Sequence, residues 1–378
     1  MKIAVISTSA IESPPVEGRY AGIEAVVWNF ARAASMSGNE VTLITTNDSP
    51  NQGTFDVLKE GTNEKLGSLA VVGAGPTGWY LNHEKTMYDS YRQWLEQQFG
   101  EGQGIVFDNS WWGFPYLSQR THPNMKIIHT HHGMSNWAVN TPQGMRYVKP
   151  PVPFPRMLGV STVHAQHLSS NFAIPVRHVH NGIDLPAYDP EKCKSEDFLL
   201  SLNRISPEKG IHNNLDVALQ TGWKMKIVGD DIHPTNWEYI NDIQNRCAQS
   251  GGQLQYYGHV DNETKWDLLR RCSALIACTD NERYLEAFGI YAVEANAVGK
   301  PVLATANGGL YDIVRNGVNG QLTPNTAGIV NALREGIQDR FSPDACRQQA
   351  EQYTVAAMTN AYLNLFQKVL RDDVDSQW

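Results

Sequence analysis

A chain of 378 residues is longer than one hydrophobic core ordinarily serves and suits two domains. Hydrophobic residues make up 41% and charged residues 19%, an ordinary soluble balance, and no apolar run approaches the roughly 20 residues that cross a bilayer. The formal net charge of −8 argues against general nucleic-acid binding and is unevenly placed: residues 1–180 hold 13 Lys+Arg and 13 Asp+Glu, residues 181–378 hold 18 and 26.

The first apolar run, KIAVIST (2–8), is strand-length and lacks a small-residue cleavage pattern, so it reads as a buried strand and not as a signal peptide. GIEAVVWNFARAASMSG (22–38) follows, with Ile23, Val26, Val27, Phe30 and Ala34 at helical spacing. EVTLITT (40–46) and SLAVVG (68–73) continue the strand–helix rhythm. The second of these leads into Gly73-Ala74-Gly75-Pro76-Thr77-Gly78, which satisfies the G-x-G-x-x-G pattern of dinucleotide-binding turns. Three features count against that function. Trp79 and Tyr80 are bulky where the following helix must pack closely, the helix is expected to start at Asn82-His83-Glu84, and the next strand-end acid, Asp108, is 30 residues beyond Gly78. The motif therefore reads as a glycine-rich strand-end loop.

A helix over 84–100 precedes strands GIVFDNS (104–110), KIIHTHH (126–132) and RMLGVS (156–161). The segment DNSWWGFPYL (108–117) places Trp111, Trp112 and Phe114 just past a strand end, where aromatic faces serve equally as core or as a platform for a sugar or lipid. Eight of the twelve histidines fall between residues 122 and 180. His129 and His131 alternate on a strand, but the hydrolase pattern H-x-H-x-D-H needs Asp at 133, where Gly133 stands, so no metal site is assigned. KPPVPFPR (149–156) reads as a proline-rich surface loop, and NGIDLPAYDPEKCKSED (181–197) as the linker.

The second half restarts with strands FLLSLNR (198–204), KMKIVGD (224–230), LQYYGHV (254–260), ALIACTD (274–280) and KPVLATA (300–306). Apolar runs at this interval predict parallel strands with right-handed crossovers, hence an α/β chain of two Rossmann-like, doubly wound domains that face each other across a cleft. In SLNRISPEKGI (201–211), Arg204 ends a strand and Lys209 follows five residues later, a combination suited to a diphosphate. In YLEAFGIYAVEANAVGKPVLATANGGLYDIV (284–314), Glu286 and Glu294 are eight apart, which predicts nearly one helical face, with Ala287-Phe288-Gly289 at the helix start. Standing alone, two such glutamates read more readily as a solvated face. All five cysteines lie in the second half without a C-x-x-C pair, so they read as reduced thiols of a cytoplasmic protein.

The segments NRISPEKG, EAFGIYAVEA and GKPVLATANGGLYDIV, in that order, resemble the retaining glycosyltransferases of family 4. PPVEGRYAGIEAVVWNFARAASMSGNEVTLIT, HNGIDLPAY, YYGHV and LLRRCSALIACTD extend the likeness over essentially the whole chain. The resemblance implies the glycosyltransferase-B fold, divided into an acceptor-side domain (1–180), a donor domain (181–355) and a terminal helix (356–378) crossing back to the first domain. It implies that Arg204 and Lys209 hold a donor diphosphate without a metal, that Glu286 contacts sugar hydroxyls beside the backbone N–H groups of Phe288 and Gly289, and that Glu294 binds ribose. Gly22 would approach the phosphates, although Ala21 stands where the family commonly has a second glycine. His132 would face the anomeric carbon, with His131 as the fallback, and base contacts would fall around Asn203–Ile205 and Gly258–Val260. Trp111, Trp112 and His131 are candidate acceptor contacts.

The function expected is a metal-independent retaining hexosyltransferase acting on a UDP- or GDP-sugar and a glycan, lipid or small-molecule hydroxyl, with no cofactor, no nucleic acid and at most weak membrane association. Base, sugar, acceptor and oligomeric state stay open. Competing readings are a sugar-nucleotide hydrolase or epimerase, a non-catalytic nucleotide-sugar-binding subunit, and a flavin or nicotinamide oxidoreductase acting through Gly73–Gly78.

Overall fold

The computed structural model describes the chain except residues 10–11, 16–21, 47–48, 50–55, 59–78, 119–120, 134–137, 142–143, 148–155, 230–236, 281–283 and 374–377. It divides into two compact units: one takes in most of Met1–Gly182 together with Val355–Trp378, and the other is built on Ile183–Thr354.

The strands of the first unit are β1 (Lys2–Ile6), β2 (Glu40–Ile44), β3 (Asp56–Leu58), β4 (Ile105–Asp108), β5 (Lys126–Thr130), the pair β6 (Ala138–Thr141) and β7 (Gly144–Tyr147), β8 (Met157–Gly159) and β9 (Val176–His178). Seven of them form a parallel sheet in the order β3-β2-β1-β4-β5-β8-β9, while β6 and β7 make a separate antiparallel pair. The second unit holds β10 (Phe198–Leu202), β11 (Lys224–Val228), β12 (Leu254–Gly258), β13 (Ala274–Ala277), β14 (Val302–Thr305) and β15 (Gly320–Thr323), parallel in the order β12-β11-β10-β13-β14-β15. In each sheet the opening strand lies inside, and the chain winds to one side of it before crossing to the other. That reversal leaves a crevice at the strand's C-terminal end, where open α/β sheets bind ligands.

Burial explains why these runs are strands. Ile3–Ile6 and all of β13 and β14 are buried, as strands covered by helices on both faces require. The helix Gly22–Met36 buries Val26, Val27, Phe30, Ala31 and Ala34, a stripe at the expected spacing. Phe30 meets Phe107 of β4 at 4.8 Å and, at 5.3 and 5.8 Å, Tyr362 and Phe366 of the terminal helix Val355–Leu370. Each such buried aromatic contributes about 1.5–3 kcal/mol. Lys126 Nζ donates to the Val369 and Leu370 carbonyls at 3.0 and 3.1 Å, a cation at the negative end of that helix. In the second unit, Lys300 Nζ donates to the Cys193 carbonyl at 2.6 Å and Ser195 Oγ at 2.9 Å, pinning the chain that enters β10.

The glycine motif Gly73–Gly78 and the strand expected over 68–73 lie outside the described residues, as does nearly all of the proline-rich run 149–156. One expectation there needs correction. The helix that follows the motif is Trp79–Phe99, beginning directly after Gly78 and three residues before Asn82. The large aromatics Trp79 and Tyr80 are thus within its first turn. The third strand is the short run Asp56–Leu58, whose Asp-Val-Leu sequence carries too little apolar pattern to be read. Among the described residues no helix is long and apolar enough to cross a membrane, and the five cysteines are free and buried.

Candidate active site

The inside strand β10 is buried along its length, and Asn203 and Arg204 follow its end. Its exit is tightly bounded. A Cβ on Gly229, just past β11, would lie 1.6 Å from the Asn203 carbonyl oxygen, and one on Gly210 would lie 1.8 Å from that of Cys278, just past β13. Gly210 is also left-handed at φ 64°, so glycine is required there twice over. Between these walls the chain turns through Pro207–Lys209 before the helix Ile211–Thr221. The side-chain Nδ2 of Asn203 is buried at this edge with no hydrogen-bond partner among the described residues. An orphaned buried donor calls for an explanation.

Lys209 and Glu286, 77 residues apart, form a buried ion pair with Nζ to Oε2 at 2.7 Å and side-chain exposures of only 4% and 6%. Lys209 Nζ also donates to the Tyr284 hydroxyl at 3.1 Å, and the Tyr291 hydroxyl donates to Glu286 Oε2 at 3.1 Å. Oε2 thus receives two donors. The Glu286 backbone is held as firmly: its N–H donates to Asn307 Oδ1 at 3.2 Å, and Gly309 N–H donates to its carbonyl at 2.7 Å. A Cβ on Gly308 would lie 2.0 Å from that carbonyl, so the Gly308-Gly309 pair past β14 clasps residues 286–288.

This clasp corrects the spacing argument. The helix is Ile290–Ala297, entered through Gly289 at φ 100°, so Glu286 precedes the helix by four residues. Only Glu294 lies on it, and the two carboxylates share no helical face. Glu294 pairs instead with Lys265 of the helix Asn262–Arg271, Nζ to Oε1 at 2.7 Å. Phe288 is buried against Tyr353, with ring centroids 5.6 Å apart. Arg204 is partly exposed; its guanidinium donates to Glu208 and, at 3.4 Å, to Ser206 Oγ. Burial raises the Glu208 carboxyl, but its own backbone N–H, Arg204 and Ser206 outweigh that and hold it below the usual range. Gly258 closes β12 in a left-handed conformation at φ 62°, its carbonyl accepting from Gly229 N–H at 2.9 Å, and Val260 follows half-buried. The structure therefore brings Asn203, Arg204, Lys209 and Glu286 to the edge around β10 and β13, and puts Glu294 with Lys265.

In the first unit the corresponding crevice, past β1 and β4, is organised by buried acids. Asp108 accepts from Ser110 N–H at 3.0 Å and Ser110 Oγ at 2.6 Å through one oxygen, and from His129 Nδ1 at 3.0 Å through the other. Glu84, one turn into the helix Trp79–Phe99, accepts the backbone N–H of Trp111 at 2.8 Å and of Trp112 at 2.5 Å. Burial pushes the Glu84 carboxyl up to about 8, against those two donors. Glu84 and Asp108 together fix the turn that carries both tryptophans, whose side chains are half-buried. Sequence reasoning offers no signal for Glu84, because the residues it holds are 27 and 28 positions away.

His132, past the end of β5, donates from Nε2 to Asn109 Oδ1 at 2.9 Å, which leaves Nδ1 as the acceptor of a neutral ring. Burial, then the neighbouring His129 and His164, push it down to about 3. His131 is fully buried and driven well below the usual range by burial and by the other histidines. His164 is lowered to about 4 by burial, with Nδ1 accepting Val160 N–H at 3.2 Å and Nε2 facing the Gly133 carbonyl at 3.4 Å. Gly22 opens the helix Gly22–Met36, and Glu24 in its first turn is buried and raised to about 7 by that burial.

Comparison with known proteins bears on both units. The family model described as Glycosyltransferase Family 4 matches residues 20–186, and that described as Glycosyl transferases group 1 matches residues 189–353, so between them they take in most of the chain. An uncharacterized glycosyltransferase of Methanocaldococcus jannaschii is 25% identical over 194 residues, 51% of this chain and 51% of its own. The glycogen synthase of Mycobacterium tuberculosis is 29% identical over 184 residues, 46% of this chain and 41% of its own. The matched segment spans about half the length of these curated relatives. Among solved structures, the sucrose-phosphate synthase of Thermosynechococcus elongatus superposes with a TM-score of 0.74 at 17% identity, covering 98% of this chain and all of that one, a likeness of fold.

Proposed function

We infer, for a chain that belongs with the glycosyltransferases of family 4 and group 1, that it moves a hexose from a nucleotide diphosphate sugar to a hydroxyl acceptor, with retention and without a metal. The observation that carries this reading is the cluster at the end of β10, where the orphaned amide of Asn203, the Arg204 guanidinium and the buried Lys209–Glu286 pair meet one crevice. A diphosphate is the ligand whose charge and acceptor oxygens match that set of donors. In this reading Arg204 and Lys209 take the negative charge that grows on the departing phosphate, the role that a metal ion plays elsewhere. Glu286 accepts from sugar hydroxyls, and Glu294 from ribose.

His132, neutral by burial, is an acceptor at Nδ1 and has no proton to give the leaving group above pH ~5. A ring so hard to protonate is also a poor base, so the proton of the acceptor hydroxyl goes to the departing phosphate. The bond from the anomeric carbon to the phosphate oxygen breaks on the face where the bond to the acceptor oxygen forms, so configuration is kept. Trp111 and Trp112, fixed by Glu84, are proposed to face the acceptor.

The test is product analysis with a panel of nucleotide sugars, with and without hydroxyl acceptors, in the presence of a chelator, reading the anomeric configuration by NMR. Transfer with retention is the expected result. Release of sugar or epimer irrespective of acceptor would replace the reading with a hydrolase or epimerase, and loss of transfer on chelation would remove metal independence.

A further inference from the structure

The Glu286 carboxylate is held by Lys209 and Tyr291, and its backbone by Asn307 and Gly309, whereas the Glu294 carboxylate is held by one side chain. Among the described residues the only hydrogen-bond partner of that carboxylate is Lys265, Nζ to Oε1 at 2.7 Å. The pair is partly sheltered, with side-chain exposures of 23% for Lys265 and 13% for Glu294. The helix that carries Lys265 is capped by Asp261, which accepts Thr264 N–H at 2.7 Å, and it follows the Gly258–Val260 segment directly. The Lys265 stem is steadied over the Trp266 ring, with Nζ 5.0 Å from its centroid. One ammonium therefore ties the helix that follows β12 to the Glu294 carboxylate.

We propose that Lys265 is a positioning residue that sets the Glu294 carboxylate to accept hydrogen bonds from the ribose of the bound nucleotide. The proposal rests on the donor reading above. A carboxylate offers about four acceptor positions, and Lys265 occupies one, leaving the rest for a vicinal diol. Without the ammonium, a mostly buried carboxylate has no counter-charge. It turns toward water, and that change removes it as a diol acceptor.

The experiment measures binding by titration calorimetry. The tightest of UDP, GDP and ADP is chosen, then compared with its 2′-deoxy analogue on the wild-type protein, Lys265→Met, Lys265→Arg, Glu294→Gln and the Lys265→Met/Glu294→Gln double variant. The wild-type protein is expected to prefer the ribonucleotide by about tenfold or more, as a hydrogen bond to a charged group gives. Lys265→Met should bring the two ligands within about twofold by weakening the ribonucleotide alone, Lys265→Arg should keep most of the preference, and the double variant should be no worse than Glu294→Gln. A Lys265→Met protein that retains the wild-type preference, or that loses both ligands equally, overturns the proposal. Failure beneath it is distinguishable: if Glu294→Gln keeps the preference, Glu294 is not the ribose acceptor, and if no nucleotide binds the wild-type protein, the donor reading itself falls.

Discussion

The crevices of the two units are built from the same topology and opposite electrostatics. The second unit sets out charges in pairs: Lys209 with Glu286 and Arg204 with Glu208 past β10, and Lys265 with Glu294 between two of its helices. Around β1, β4 and β5 the first unit gathers four histidines and removes charge from three of them, His131, His132 and His164, by burying them together. Its acids, Asp108 and Glu84, spend their acceptor positions on backbone N–H groups, on Ser110 and on His129. Paired charges can be shared with an incoming anion at little cost, since each cation keeps some of its old partner. Neutral polar groups suit a hydroxyl, which asks for acceptors and donors but brings no charge. In the proposed function that division assigns the diphosphate donor to the second unit and the alcohol acceptor to the first.

The strongest way to break this contrast is to remove charge from the second unit. Lys209→Met leaves Glu286 buried and uncompensated, and should cost about 3–5 kcal/mol of stability in urea denaturation. The double change Lys209→Met/Glu286→Gln should recover much of that loss. An equal loss in the double variant would mean that the pair matters for shape and not for charge. Next, Arg204→Ala should lower turnover by about 10²–10³-fold with the fold intact, because its side chain is partly exposed and the proposed function places its charge in the transition state. Wild-type turnover in that variant removes Arg204 from the site.

Acidification tests the first unit. His131, His132 and His164 have folded values pushed below the ordinary 6.5, the last two to about 3 and about 4. A group lowered on folding binds its proton in the unfolded chain first, so the stability it contributes is whole above pH 6.5 and lost as pH falls toward 4. Each histidine should add about 1.4 kcal/mol per pH unit to that slope within the window. Urea midpoints measured from pH 7 to pH 4.5 should fall steeply, and His164→Asn should flatten the fall. An unchanged slope in that variant would mean that His164 takes up protons in the folded protein as readily as in the unfolded one.

How much of this was legible depends on where the partners lie in the chain. Buried parallel strands were legible because β1, β4, β10 and β13 are unbroken apolar runs, and the polar residues that close them, Asp108-Asn109-Ser110 and Asn203-Arg204, mark the crevice edge. The placement of Arg204 and Lys209 just past β10 was legible from local spacing. The register of Glu286 was not, because a period argument assumes a helix where Gly289 at φ 100° and the approach of Gly308 impose a separate entry segment. The glycine in EAFGIY was the available clue, since a mid-helix glycine is disfavoured. Glu84 and Lys265 were illegible for a different reason: an acid or a lysine on a helix reads as solvated face, and only the fold brings their partners, 27 and 29 residues away, within reach.

The smallest effect sharpens the contrast most. Trp112 takes its backbone N–H to Glu84 and leaves its ring half-buried past β4, where an aromatic face can meet an acceptor. Trp112→Ala should raise the acceptor's Michaelis constant by about tenfold, leaving the donor constant and nucleotide affinity as they are. Glu84→Gln should have a weaker effect of the same kind. The amide keeps one oxygen for the two backbone donors, so one of the N–H groups of Trp111 or Trp112 is left facing an NH2, and the turn loosens without losing its ring. If both changes alter donor binding and spare the acceptor, then the aromatic turn serves the nucleotide sugar, and the assignment of charge to one substrate and neutrality to the other is wrong. If Trp112→Ala acts and Glu84→Gln does not, the ring matters but the buried acid is not what holds it.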